Sequence, residues 1–288
     1  MPKISIITPS YNRGWSIEAC LKSLQAQTFT DYEHIIVDGG SSDSSLEIVN
    51  SYKEHDPRIS LISEPDLGMY DAINKGLQRA RGEIVAYLNT DDFYLPEALL
   101  NIVREFDSKP NLDLIYGNWF SWYPEKTSVE FLPVRKFSKY DMAIFATLPQ
   151  PSVFFKRSVL DLAASFDLKY KLVADNEFFS RIMCLGITSK HIDYYISGQT
   201  VHSGNLLVGN DNATYEALNE CENYRVKRQK KLLDSNKKFK NSLMLIISKI
   251  RKLSFPFEWR FGLIIHFAKS ILFVGKILYF PWKFKFGR

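Results

Sequence analysis

Residues 84–92 read IVAYLNTDD: five largely apolar side chains, then four polar ones that include two adjacent carboxylates. A short apolar run bounded by turn residues predicts a strand buried on both faces. Such strands belong to parallel sheets covered by helices. The flanking chain agrees. Ile4–Thr8, His34–Val37 and Ile59–Ser63 predict strands upstream, and Leu112–Tyr116 a fifth downstream. Between them lie helical stretches. Ser16 is placed to cap Ile17–Gln27, whose Ile17, Cys20, Leu21 and Leu24 share one face; Ser44–Tyr52 follows a Gly-Gly-Ser-Ser turn. Met69–Ala80 closes on Arg81-Gly82, and Pro96 suits the first position of the next helix. This alternation predicts an α/β fold with a doubly wound, mostly parallel sheet.

In such sheets the ligand crevice lies beyond the carboxyl ends of the strands. The residues there are Thr8–Asn12, Asp38–Ser41, Glu64–Asp66 and Asn89–Asp92. Asp and Ser are good turn residues, which accounts for any one of these turns alone. Carboxylates at three successive strand ends are more than stability requires. Two adjacent acids on a turn suit a hard divalent cation, Mg²⁺ or Mn²⁺, which takes oxygen ligands and leaves positions for phosphates. The glycines of Asp38-Gly39-Gly40-Ser41 let backbone approach a ligand. Neither GxGxxG nor GxxxxGK[ST] occurs, so dinucleotide oxidoreductases and P-loop NTPases lose support.

The 288 residues, 24% charged and 14% aromatic, describe a chain that folds rather than a disordered or collagen-like one. Three scattered cysteines form no zinc or disulfide pattern and favour a reducing compartment. The N-terminal apolar run is shorter than a secretory signal core, so the expectation is cytoplasmic. The net charge of +5 is uneven: residues 225–288 carry 17 Lys+Arg against 2 Asp+Glu, while the rest is acidic. The chain therefore reads as a body, residues 1–234, with an appendage, residues 235–288. The body divides into a first half, 1–120, and a less regular second half, 121–234.

Three blocks in order, ISIITPSYNR (4–13), IIVDGGSSDS (35–44) and EPDLGMYDAINKGLQRARGEIVAYLNTDD (64–92), resemble the nucleotide-sugar-binding half of family 2 glycosyltransferases with the GT-A fold. Weaker similarity continues through Gln150–Phe155 and Ala174–Glu177. The resemblance implies inverting transfer from a nucleotide sugar, usually a UDP-sugar, with Mn²⁺ or Mg²⁺. It implies that Pro9 and Tyr11 line the nucleoside pocket and that Asp38 holds the base. Asn89 falls at the first position of the family's Asp-x-Asp, facing ribose or phosphate, and Asp91 is the implied metal ligand with Asp92 beside it. Asp175 matches the acidic catalytic base, with Glu177 behind it. The neutral Asn89 departs from the family pattern and removes a charge from the metal site. His202 falls where related enzymes place a loop near the diphosphate. Lys75 and Arg81 are the usual kind of diphosphate partner, though on a helix such residues are more often solvated.

Residues 242–288 interleave bulky apolar residues with lysine and arginine. Phe261–Phe280 contains His266, Lys269 and Lys276, and Trp259 and Trp282 bracket it. This is the pattern of an amphipathic helix lying in a membrane surface, and the bases between Arg225 and Lys240 add attraction to anionic lipid. Spanning, packing on the body and dimerisation are the alternatives. Nucleic acid would leave the aliphatic side chains exposed and is not expected as a partner. The expectation is an enzyme at the cytoplasmic face of a membrane, peripheral or monotopic, acting on a lipid-linked or glycan acceptor. A nucleotidyltransferase and a non-catalytic sugar-nucleotide-binding protein are the alternatives. The first normally needs a glycine-rich basic loop after strand one, where this chain has no glycine before Gly14.

Overall fold

The computed structural model describes residues 1–134, 136–137, 148–202, 205 and 220. Residues 211–233, whose polar sequence reads as a long helix, lie outside the described residues apart from Glu220, as does the basic tail at 235–288.

Four strands and the helices between them build the first half in the expected order. They are β1 (Ile4–Ser10), α1 (Ile17–Gln25), β2 (Tyr32–Asp38), α2 (Ser45–His55), β3 (Ile59–Ser63), α3 (Met69–Arg79) and β4 (Ile84–Tyr87). Then follow β5 (Asp92–Tyr94), α4 (Ala98–Ser108), β6 (Leu114–Tyr123), β7 (Ser128–Leu132), β8 (Val153–Lys156), α5 (Val159–Ala163), α6 (Ala174–Cys184) and β9 (Ser189–Thr200). One sheet contains all nine strands of the described residues, in the order β3-β2-β1-β4-β8-β6-β9-β5, with β7 on β6. The β1, β2, β3 and β4 pairings are parallel. The sheet then changes character, because β8 runs antiparallel between β4 and β6. The sequence rhythm alone places the fifth strand directly after the fourth. In the structure the apolar run Val153-Phe154-Phe155 takes that place, buried on both faces and paired antiparallel with β4 on one side and β6 on the other.

The core has two layers, because successive side chains of a strand point to opposite faces. Ile7, Val85, Tyr87 and Phe155 meet α3 and α6 on one face through Ile73, Leu77, Phe178 and Phe179. Ile4, Ile6, Ile84, Ala86 and Phe154 meet α4 on the other through Leu99, Ile102 and Phe106. Each fully buried aliphatic or aromatic side chain contributes about 1.5–3 kcal/mol.

Three local expectations are corrected. Ser16 makes no capping bond; its hydroxyl lies 3.3 Å from Thr90 Oγ1 and 3.4 Å from the Arg13 carbonyl. Gly82 does not end a helix in a left-handed turn. It is there for space, because a Cβ would sit 2.5 Å from the Ser5 backbone nitrogen. The helix after Pro96 starts at Ala98, and Gln27 satisfies its free end by accepting the Leu99 N–H at 3.1 Å.

Candidate active site

The order 3-2-1-4 reverses between β1 and β4, and a crevice opens beyond the carboxyl ends of strands at such a point. Two loops are zipped together there. Asn12, at φ 52°, donates its N–H to Ser41 Oγ at 2.7 Å and accepts the Ser42 N–H at 2.9 Å. The Gly14 N–H reaches Asp43 at 2.9 Å, and a Cβ on Gly14 would lie 2.2 Å from Ser44 Oγ. Pro9 is buried in β1 opposite Val37, whereas Tyr11 stands 60% exposed at the rim. Asp38 is buried and turned into its own loop. Its oxygens accept the Gly40 and Ser41 N–H groups at 3.0 and 2.8 Å and the Ser41 and Ser63 hydroxyls at 2.5 and 3.1 Å. It therefore holds the shape of the Gly39-Gly40 turn, where Gly40 has φ +87°.

The adjacent acids Asp91 and Asp92 do not converge, because the chain enters β5 between them and turns their side chains apart. Asp92 is 1% exposed, and burial, reinforced by the charge of Asp91, pushes its carboxyl well above the usual range. The Asn89 amide donates to Asp92 Oδ2 and to Gln150 Oε1, each at 3.2 Å, and Gln150 in turn donates to the Tyr87 carbonyl at 2.8 Å. Asn89 Oδ1 and Asp92 Oδ1 are buried without a partner among the described residues. Asp91 faces the other way. Its Oδ2 lies 3.1 Å from His202 Nε2 and accepts the Asn205 amide at 2.9 Å. The Thr200 N–H binds the Asp91 carbonyl at 3.1 Å and brings the end of β9 to this turn. Trp15 lies edge-on to His202, with ring centroids 4.4 Å apart.

Asp91 and His202, 111 residues apart in sequence, thus present a carboxylate oxygen and an imidazole nitrogen side by side. That donor set fits a divalent cation of intermediate hardness such as Mn²⁺. No cluster of three or more His, Cys, Asp or Glu exists among the described residues, so a cation here would need further ligands from a bound molecule.

Asp175 stands in the first turn of α6. Its Oδ1 accepts the Asn176 N–H at 2.7 Å and the Tyr70 hydroxyl at 3.1 Å. Burial raises its carboxyl above the ordinary range, and those two bonds partly offset the shift. Glu177 is differently employed: Arg181 grips its carboxylate through Nε at 2.9 Å and through the terminal nitrogen at 2.9 Å. Lys75 reaches Glu64 at 3.0 Å and the Pro65 carbonyl at 2.8 Å, and Arg81 pairs with buried Glu33 beyond the far end of α3. These three are committed to the protein's own groups. Sequence reasoning missed Tyr70, Gln150 as a partner of Asn89, and Asn205. Tyr70 carried a partial signal, since Met69, Tyr70, Ile73 and Leu77 share a helical stripe, but nothing local names its partner.

A parallel half-sheet joined through one antiparallel strand to a mixed half, with acids at the strand ends, is the architecture of the GT-A glycosyltransferases. The chain belongs to glycosyl transferase family 2, whose model matches residues 5–159; it is a glycosyltransferase. It is 29% identical over 179 residues to a PGL/p-HBAD biosynthesis glycosyltransferase of Mycobacterium bovis, covering 62% of this chain and 68% of that one. Among solved structures, S. aureus TarS 1–349 in complex with UDP-GlcNAc superposes with a TM-score of 0.57 at 16% identity, covering 96% of this chain and 76% of that one. A Pyrobaculum calidifontis mannosyltransferase in complex with GDP-Man and Mn²⁺ superposes with a TM-score of 0.56 at 20% identity, covering 71% of this chain and 58% of that one.

Proposed function

We propose that this glycosyltransferase moves a hexosyl or N-acetylhexosaminyl group, with inversion, from a UDP-sugar to a hydroxyl of a lipid-linked or polysaccharide acceptor. The observation that carries the reading is the pairing of Asp91 with His202 at the sheet's switch point. The UDP-GlcNAc held by the TarS neighbour and the Mn²⁺ held by the mannosyltransferase support the choice of donor and cation.

In this reading Tyr11 offers an exposed ring to the nucleobase, on a loop whose shape Asp38 and Pro9 maintain. Asp91 and His202 would hold a divalent cation, with further ligands supplied by the donor's diphosphate. The cation, when bound, neutralises charge on the departing nucleoside diphosphate. Asn89 spends its amide protons on Gln150 and Asp92, which leaves its Oδ1 as an acceptor for a ribose hydroxyl rather than for phosphate oxygens, without adding charge. Asp175 takes the proton of the incoming acceptor hydroxyl, and the hydroxyl oxygen forms the new bond to the anomeric carbon while the diphosphate leaves from the opposite side. Burial favours this task, because a carboxyl raised toward neutral pH is a better proton acceptor than an exposed one. The interleaved basic and apolar residues 242–288 support attachment to the cytoplasmic face of a membrane, where a lipid-linked acceptor would also reside.

The test is a screen of nucleotide sugars with Mn²⁺ or Mg²⁺, reading the nucleotide released. UDP release that depends on the cation is the expected result. Asp91→Ala should reduce transfer at least about 100-fold with unchanged circular dichroism. Wild-type turnover in that variant removes Asp91 from the site.

A further inference from the structure

The segment between α5 and α6 leads directly into Asp175, in the first turn of α6, and is gripped by α3 at several points. Asn74 uses both ends of its amide, donating to the Phe166 carbonyl and accepting the Phe166 N–H, each at 2.9 Å. The Tyr70 ring is buried and stacks on Phe166 at 5.7 Å. Its hydroxyl has two acceptors within reach, Asp175 Oδ1 at 3.1 Å and the Leu172 carbonyl at 3.3 Å. A tyrosine hydroxyl has one proton to donate. On the other side of this segment Glu220 accepts the Lys171 and Leu172 N–H groups, both at 2.8 Å.

We propose that Tyr70 is a positioning residue for Asp175, donating its hydroxyl proton to the carboxylate before the reaction and to the Leu172 carbonyl once Asp175 is protonated. This rests on the reading of Asp175 as the base. While Asp175 is ionised, the charged oxygen is the stronger acceptor and takes the bond. When Asp175 gains the acceptor's proton, its appetite for that bond falls. The Tyr70 hydroxyl turns to Leu172, so no buried donor is orphaned in either state. The ring need not move, because stacking and burial hold it while the O–H bond rotates.

The groups that face Asp175 make the effect directional. Tyr70 from α3 favours the ionised form through its hydrogen bond, as does the Asn176 N–H from α6 itself. Glu220 and burial oppose it. Tyr87 from β4, also near Asp175, is fully buried and uncharged. Removing the Tyr70 hydroxyl therefore leaves burial and Glu220 less opposed.

The test uses the full chain, with the Asp side-chain carboxyls ¹³C-labelled and the Asp175 resonance assigned by its loss in Asp175→Asn. In Tyr70→Phe the Asp175 titration should move up by about one pH unit. Turnover is read as UDP release from UDP-GlcNAc with Mn²⁺. Its acid limb should rise by the same amount, and kcat should fall about tenfold with donor KM unchanged. If Tyr70→Phe fails to fold, 3,5-difluorotyrosine at position 70 keeps ring and hydroxyl. As a stronger donor it should move the Asp175 titration down. An Asp175 titration unmoved by these substitutions overturns the proposal. If the titration moves but Asp175→Asn keeps wild-type turnover, the reading of Asp175 as base has failed, and the positioning role falls with it.

Discussion

His34 lies under the crevice, buried in β2, with its Nε2 2.8 Å from Thr8 Oγ1. Burial depresses its pKa to about 3, with Asp56 pushing back and Arg58 adding to the depression. The unfolded chain takes up a proton near pH 6.5, and the native chain does not until about 3. Between those values the unfolded state binds more protons, so stability falls as pH drops below 6.5, by about 1.4 kcal/mol per unit from this one group. An NMR titration should show the His34 ring neutral from pH 8 to 4.5, and a ring that titrates near 6.5 contradicts the account. Asn89 illustrates the same physics from the other side. Its amide stands 3.2 Å from the buried Asp92 carboxylate. An aspartate there would set a second acid against the carboxyl of Asp92, which is only 1% exposed. The departure from the family's Asp-x-Asp thus suits the burial of Asp92.

At the scale of elements, close approach matters more than propensity. The turn from α3 into β4 passes directly over β1. The Gly82 N–H donates to Ser5 Oγ at 2.7 Å, and an added Cβ would meet the Ser5 nitrogen at 2.5 Å and the Ile4 carbonyl carbon at 2.7 Å. Both are backbone atoms that no side-chain rotation can move aside. Gly82→Ala should therefore cost about 1–3 kcal/mol, read as a lower urea midpoint with unchanged m. The Arg81-Gly82 pair is visible in the sequence as the end of a helix. What the glycine is for becomes visible only when β1 lies beneath it.

Across the whole molecule, the charge division puts the basic and apolar residues at one end of the chain. If residues 242–288 lie in a membrane surface, the full chain should float with vesicles containing anionic lipid and bind them less as salt rises. Alkaline carbonate should release it from membranes. Retention in the carbonate pellet is the outcome expected of a spanning segment instead. Among the described residues no helix is long and apolar enough to cross a membrane.

The first half of the sheet was legible from residues 4–88, because alternating apolar runs and helical stripes are local patterns set by backbone geometry. So were the strand ends that carry Tyr11, Asp38, Asn89 and Asp91, since the end of a parallel strand is the mouth of a crevice whatever the rest of the chain does. Local pattern could not say that Val153–Phe155 would insert antiparallel beside β4, or that Asp91 and Asp92 would turn apart. Nor could it say that His202 would reach Asp91, or Tyr70 reach Asp175. Those contacts join residues from about 70 to 111 positions apart. They are selected by which surfaces pack together and which buried polar groups find partners, and that is settled only when the chain has closed on itself.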